Sequence, residues 1–97
     1  MAIYTNISSA TTTTLITKGS GIRGNIDKIT ISNHDDSDAN VIQLHLFDGS
    51  STTYVIVETS IPPRATLVLD DNLSFSSTNY SLRIITSSTA ETTVIIK

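Results

Sequence analysis

At 97 residues, this stretch holds one domain's worth of sequence, enough for one modest core but not for a second domain. Its net charge of −3 and pI near 5.0 argue against a nucleic-acid surface, which needs clustered Lys and Arg. The absence of cysteine excludes a disulfide framework and a thiolate metal site.

Sixteen Thr, 14 Ser and 14 Ile stand against only 12 Leu plus Ala, so strong helix formers are scarce and β-branched residues dominate. The expected fold is an all-β, single-domain antiparallel β-sandwich, Ig-like or jelly-roll-like, of seven to eight short strands. The N-terminus MAIYTNISSA has no basic stretch leading into an apolar run, so no secretory signal is expected there. The longest apolar run, Tyr54–Val57, has four residues, so no membrane-spanning helix is expected.

In chain order, residues 1–10 form an N-terminal arm or a first strand, and residues 11–97 the β-sandwich domain. Ile3, Tyr4 and Ile7 give the arm apolar side chains, which are rarely left in water. They are the candidate interface residues, packing on an adjacent subunit or shell. The alternative, that this segment is a strand of its own sandwich, stays open. TTTTLIT (Thr11–Thr17) reads as a polar edge strand.

GSGIRG (Gly19–Gly24) has the glycine spacing of a dinucleotide fingerprint, which works only where a helix follows and offers its N-terminus to the pyrophosphate. Here NIDKITISN follows, with Ile29 and Ile31 two apart on one strand face, so the glycines are read as a loop.

NHDDSDAN (residues 33–40) is an acidic loop. Asp36, Asp38 and Asn40 open a calcium-loop spacing, but Val41 stands where glycine must turn and Phe47 where a bidentate Glu must close it. A solvated loop without a required metal is expected. VIQLHLF puts Ile42, Leu44 and Leu46 inward and Gln43 and His45 outward. DGSS then joins it to TYVIVET as a hairpin. Pro62-Pro63 ends that unit. ATLVLD brings Leu67 and Leu69 inward, and Asp70-Asp71-Asn72 turns into LSF. Tyr80, Leu82 and Ile84 alternate next, and TTVIIK ends the chain. The predicted core is Ile29, Ile31, Ile42, Leu44, Leu46, Ile56, Leu67, Leu69, Leu82 and Ile84.

No pattern supports catalysis. There is no G-x-S-x-G elbow, and adjacent Asp70 and Asp71 would point to opposite sides of a strand. His34 and His45 have no third nitrogen or sulfur ligand, so they read as an exposed loop residue and an outward strand residue. No catalytic residues, cofactor or metal are expected. The five aromatics (Tyr4, Phe47, Tyr54, Phe75, Tyr80) are spread along the chain without basic interleaving, unlike a base-stacking platform.

The progression IDKITISN, VIQLHLFDGSS, YVIVETSIPPRATLVLDDNLSF and YSLRIIT resembles the small all-β virion proteins of tailed bacteriophages, over about Thr11 to Lys97. The resemblance implies a non-enzymatic virion structural protein, a capsid decoration (cement) protein or a neck or tail component. It implies a virion location and a homo-oligomer or symmetric multi-copy assembly. The implied partners are other virion proteins (major capsid or neck/tail proteins), with neither nucleic acid nor membrane as partner. It carries over no functional residues. The alternative is a carbohydrate-binding or host-attachment β-sandwich module, against which stands the absence of Trp.

Overall fold

Five nested antiparallel pairings organise the protein, seen in a computed structural model that describes residues 2–22, 25–70 and 72–97. β1 (Ile3–Ile7) pairs with β10 (Thr92–Ile96), and β2 (Thr12–Ile16) with β9 (Ser81–Thr86). β3 (Asn25–Ile26) pairs with β8 (Leu73–Ser74), and β4 (Ile29–Asn33) with β7 (Ala65–Leu69). β5 (Asn40–Phe47) and β6 (Thr53–Ile61) form the innermost hairpin. The chain is in effect one long hairpin, rolled so that β10 also meets β4 and β5 also meets β9. Two four-stranded sheets result, β1-β10-β4-β7 (the first sheet) and β2-β9-β5-β6 (the second). This all-β sandwich is a jelly roll. The described residues hold ten strands rather than seven or eight, because β3 and β8 add a two-residue pairing too short to show any alternation in sequence.

Alternation sets the core. Ile29, Ile31, Val94 and Ile96 of the first sheet and Ile42, Leu44, Leu82 and Ile84 of the second are all buried. The predicted residues Leu46, Ile56, Leu67 and Leu69 also pack against this core, but only partly buried. Ile7, Leu15, Ile16, Ile26 and Ile61 complete it. The segment that could be arm or strand is β1, five residues in register with β10. Ile7 is buried in the chain's own core and Ile3 packs against it, whereas Tyr4 is 70% exposed. Of the three interface candidates, Tyr4 is the one this fold leaves on the surface.

The turns have local causes. At the hairpin tip, Asp48 Oδ1 accepts the N–H groups of Ser50, Ser51 and Thr52 at 2.9, 3.1 and 3.1 Å. These donors, Ser50 first, favour the charged form and hold the carboxyl down to about 2. Gly49 takes φ 95° there, a conformation that favours glycine. After Pro62-Pro63, Arg64 sits at φ 60° and the Ala65 N–H closes onto the Pro62 carbonyl at 3.2 Å, a turn of type II character. At the same end of the sandwich, two buried asparagines tie loops to strands. Asn33 Nδ2 donates to the carbonyls of Asp38 and Ile61, and Asn40 Nδ2 donates to Thr92 Oγ1 at 2.9 Å. The Asn40 side-chain oxygen accepts the Ser87 N–H at 3.0 Å, so both ends of the buried amide are satisfied.

Candidate functional site

Among the described residues, the sequence motifs that suggested chemistry do not assemble into sites. Gly19 and Gly21 have positive φ, consistent with a loop, and Arg23 and Gly24 lie outside the described residues. Strands β3 and β4 follow, so among the described residues no helix N-terminus faces the glycines. In the acidic loop, Asp35 accepts the N–H groups of Ser37 and Asp38 at 3.1 and 2.8 Å. The Asp38 contact above all holds this carboxyl below its ordinary value. Asp36 turns toward Arg64 (3.0 Å), and Asn40 turns into the core. The D-x-D-x-N spacing is therefore split between surface and interior and does not converge on a point. Of the pair Asp70 and Asp71, Asp71 lies outside the described residues. His34 is exposed, its Nε2 2.9 Å from Thr93 Oγ1 and its Nδ1 3.8 Å from Glu91.

His45 departs from expectation. It has the outward parity predicted for it, yet its exposure is 0%. Cross-strand neighbours explain the burial: Arg83 of β9 and Val55 of β6 flank it in register. Arg83 Nε donates to His45 Nε2 at 2.9 Å, and the Arg83 guanidinium carbon lies 3.8 Å from the centroid of the Phe47 ring. Imidazole, guanidinium and phenyl ring thus form one packed cluster on the outer face of the second sheet. Since Nε2 accepts from Arg83, the ring proton sits on Nδ1, which is buried without a hydrogen-bond partner. No local pattern marks this cluster, because His45 and Arg83 lie 38 positions apart and meet only through register.

Burial, and after it the Arg83 charge, holds His45 below the ordinary histidine value of 6.5. The unfolded chain therefore binds a proton below about pH 6.5 that the folded chain still refuses. Stability contributed by neutral His45 is complete above that pH. It should fall as pH drops from 6.5 toward the lower folded value. Urea midpoints measured between pH 7.5 and 5 should decline for the parent and decline less for His45→Gln, whose amide can accept from Arg83 without titrating. Equal slopes for the two proteins would contradict this account.

A second surface feature is the flank where the two sheets end at β6 and β7. A cavity of about 360 Å³ opens there, lined by Ile26, Ile29, Ile56, Val57, Leu69, Asn72, Leu73 and Ser74. A smaller one, about 140 Å³, lies between Thr59–Pro62 and Ala65–Leu67. Three of the four partly buried predicted core residues, Ile56, Leu67 and Leu69, belong to these walls. At the sheet edges, Tyr54 of β6 and Val68 of β7 are about half exposed, at 53% and 45%. β6, nine residues long, pairs on one side with β5 and has no strand on the other among the described residues.

No protein-family model and no curated protein sequence matches the chain. Among solved structures, it is similar to the Anabaena sensory rhodopsin transducer (TM-score 0.52, 12% identity, 98% of this chain and 95% of that one). It is also similar to PirA (TM-score 0.56, 10% identity, 98% of this chain and 90% of that one). A Clostridium thermocellum xylanase 10B structure containing a CBM22-1 module with xylohexaose aligns over 24% of its own length at TM-score 0.48, too low to establish a shared fold. At these identities the first two likenesses concern the β fold alone.

Proposed function

We propose that this chain is a non-enzymatic structural protein of a virion, working in many copies as a capsid decoration protein or as a neck or tail component. The observation that carries the reading is the open β6–β7 flank. Side chains with core parity line it half-buried, beside a nine-residue strand that pairs on one side only among the described residues. A neighbouring subunit that laid an extended segment there would satisfy the edge by strand addition and cover Ile56, Leu67 and Leu69. Each such contact is small. Repetition in a symmetric assembly turns weak contacts into firm attachment by avidity. The sequence resemblance to small phage virion proteins supplies the kind of assembly. The test is the copy number of the chain in purified particles, measured by mass spectrometry.

The second reading, a carbohydrate-binding or host-attachment module, is favoured by the outer face of the second sheet. There the Arg83 cluster stands among hydroxyl and amide side chains.

A further inference from the structure

Arg83 is held from two directions and left without a counter-ion. Its Nε–H is committed to His45 Nε2 at 2.9 Å, and its plane is parked against Phe47 at 3.8 Å. The Nη groups, which carry the rest of the donor fork, meet no acceptor among the described residues, and no carboxylate pairs with Arg83 there. The carboxylate one cross-strand row away on the same face, Glu58, takes a hydrogen bond from Gln43 Nε2 at 3.1 Å instead. A guanidinium fixed by stacking and by one hydrogen bond has already lost much of its side-chain entropy, so less remains to be lost when an anion docks.

The surroundings narrow the ligand. In register with Arg83 and in the next row stand Thr14, Thr12 and Gln43, which offer hydroxyl and amide groups, and Glu58, whose carboxylate is held by Gln43 Nε2 at 3.1 Å. Val55 and Ile85 offer small apolar surface. No second Lys or Arg shares these rows, which disfavours a polyanion such as nucleic acid. One cation, several hydroxyl partners and shallow apolar ledges suit a singly charged carboxylate carried on a polyhydroxylated ring. We propose that Arg83 is the receptor for the carboxylate of an acidic saccharide, accepted by its Nη groups on the outer face of the second sheet, with Thr14 and Gln43 contacting ring hydroxyls. His45 is the positioning residue, holding the guanidinium through its neutral Nε2. The inference rests on the second reading above; the site lies on the outer face of the second sheet, away from the cavity-lining residues of the β6–β7 flank, and is separate from the assembly role.

Nuclear magnetic resonance titration of the intact chain tests this without any variant. A tri-uronic acid should shift the Arg83 side-chain Nε–H signal and the amides of Thr14, Gln43 and Val55 saturably. Neutral glucose trisaccharide should not. Arg83→Lys, which keeps the charge but loses the fork, should weaken uronate binding by about tenfold or more. Its dispersed spectrum shows whether it has folded. Should the variant not fold, the location of the shifts in the parent still decides the matter. Shifts that map elsewhere, equal binding of the neutral sugar, undiminished binding by a folded Arg83→Lys, or no response at millimolar uronate would each overturn the proposal. Inorganic phosphate binding as tightly as uronate would overturn the saccharide assignment.

Discussion

Leu44→Ala should destabilise the fold by about 2–5 kcal/mol, measured as a lowered urea midpoint at an unchanged slope. Leu44 has 0% exposure and stands in the second sheet between Ile84 of β9 and Val57 of β6. Across the sandwich the first sheet contributes Ile29, Ile31, Val94 and Ile96, all at 1% exposure or less, so truncation leaves a cavity on every side. Stability in domains of this size totals about 5–15 kcal/mol, and one such loss removes a large share of it. Val68→Ala is the control. Val68 points outward on β7 at 45% exposure and should cost no more than about 0.5 kcal/mol. A Leu44→Ala cost in that same small range would mean that the faces of β5 are reversed.

Deleting residues 1–8 should cost at least as much. The deletion removes β1, and with it the pairing of Ile3 through Ile7 with Ile96 through Thr92. It uncovers β10, whose Val94 and Ile96 are both fully buried. Loss of Ile7 and Ile3 from their packed positions alone forfeits about 1.5–3 kcal/mol for each well-buried side chain, with Ile3 toward the low end. The new edge also exposes backbone groups that had been paired. The truncated chain is expected to lose its cooperative melting transition or to precipitate. A truncated chain that melts as the parent does would show that β1 is dispensable, and would return Ile3, Tyr4 and Ile7 to the role of a free arm.

Much of this fold was legible because its signal is parity. Ile29 and Ile31, Ile42 and Leu44, and Leu82 and Ile84 alternate cleanly, and each pair is buried as alternation requires. The Asp48-Gly49 tip and the Pro62-Pro63 corner were readable from turn chemistry. Partnership between distant strands was not. Nothing within Ile3–Ile7 says that it pairs with Thr92–Ile96, so arm and strand could not be told apart. Asn33 and Asn40 look like loop residues, and their burial comes from carbonyl, amide and hydroxyl partners supplied by other segments. His45 reads as solvent-facing because parity gives direction but not cover. The cover comes from neighbouring strands, Arg83 among them. Likewise, alternation marks Ile56, Leu67 and Leu69 as inward without revealing that the sandwich is open along β6 and β7.

Quantitative mass spectrometry of purified particles decides whether the chain is a virion component. Cells producing the chain would be lysed, the particles banded, and the chain counted against the major capsid protein. A structural component should be found at a fixed ratio across preparations, in multiple copies per particle, at a number compatible with the symmetry of head, neck or tail. A chain abundant in the lysate but missing from washed particles would contradict that role, as would a ratio that drifts from one preparation to the next.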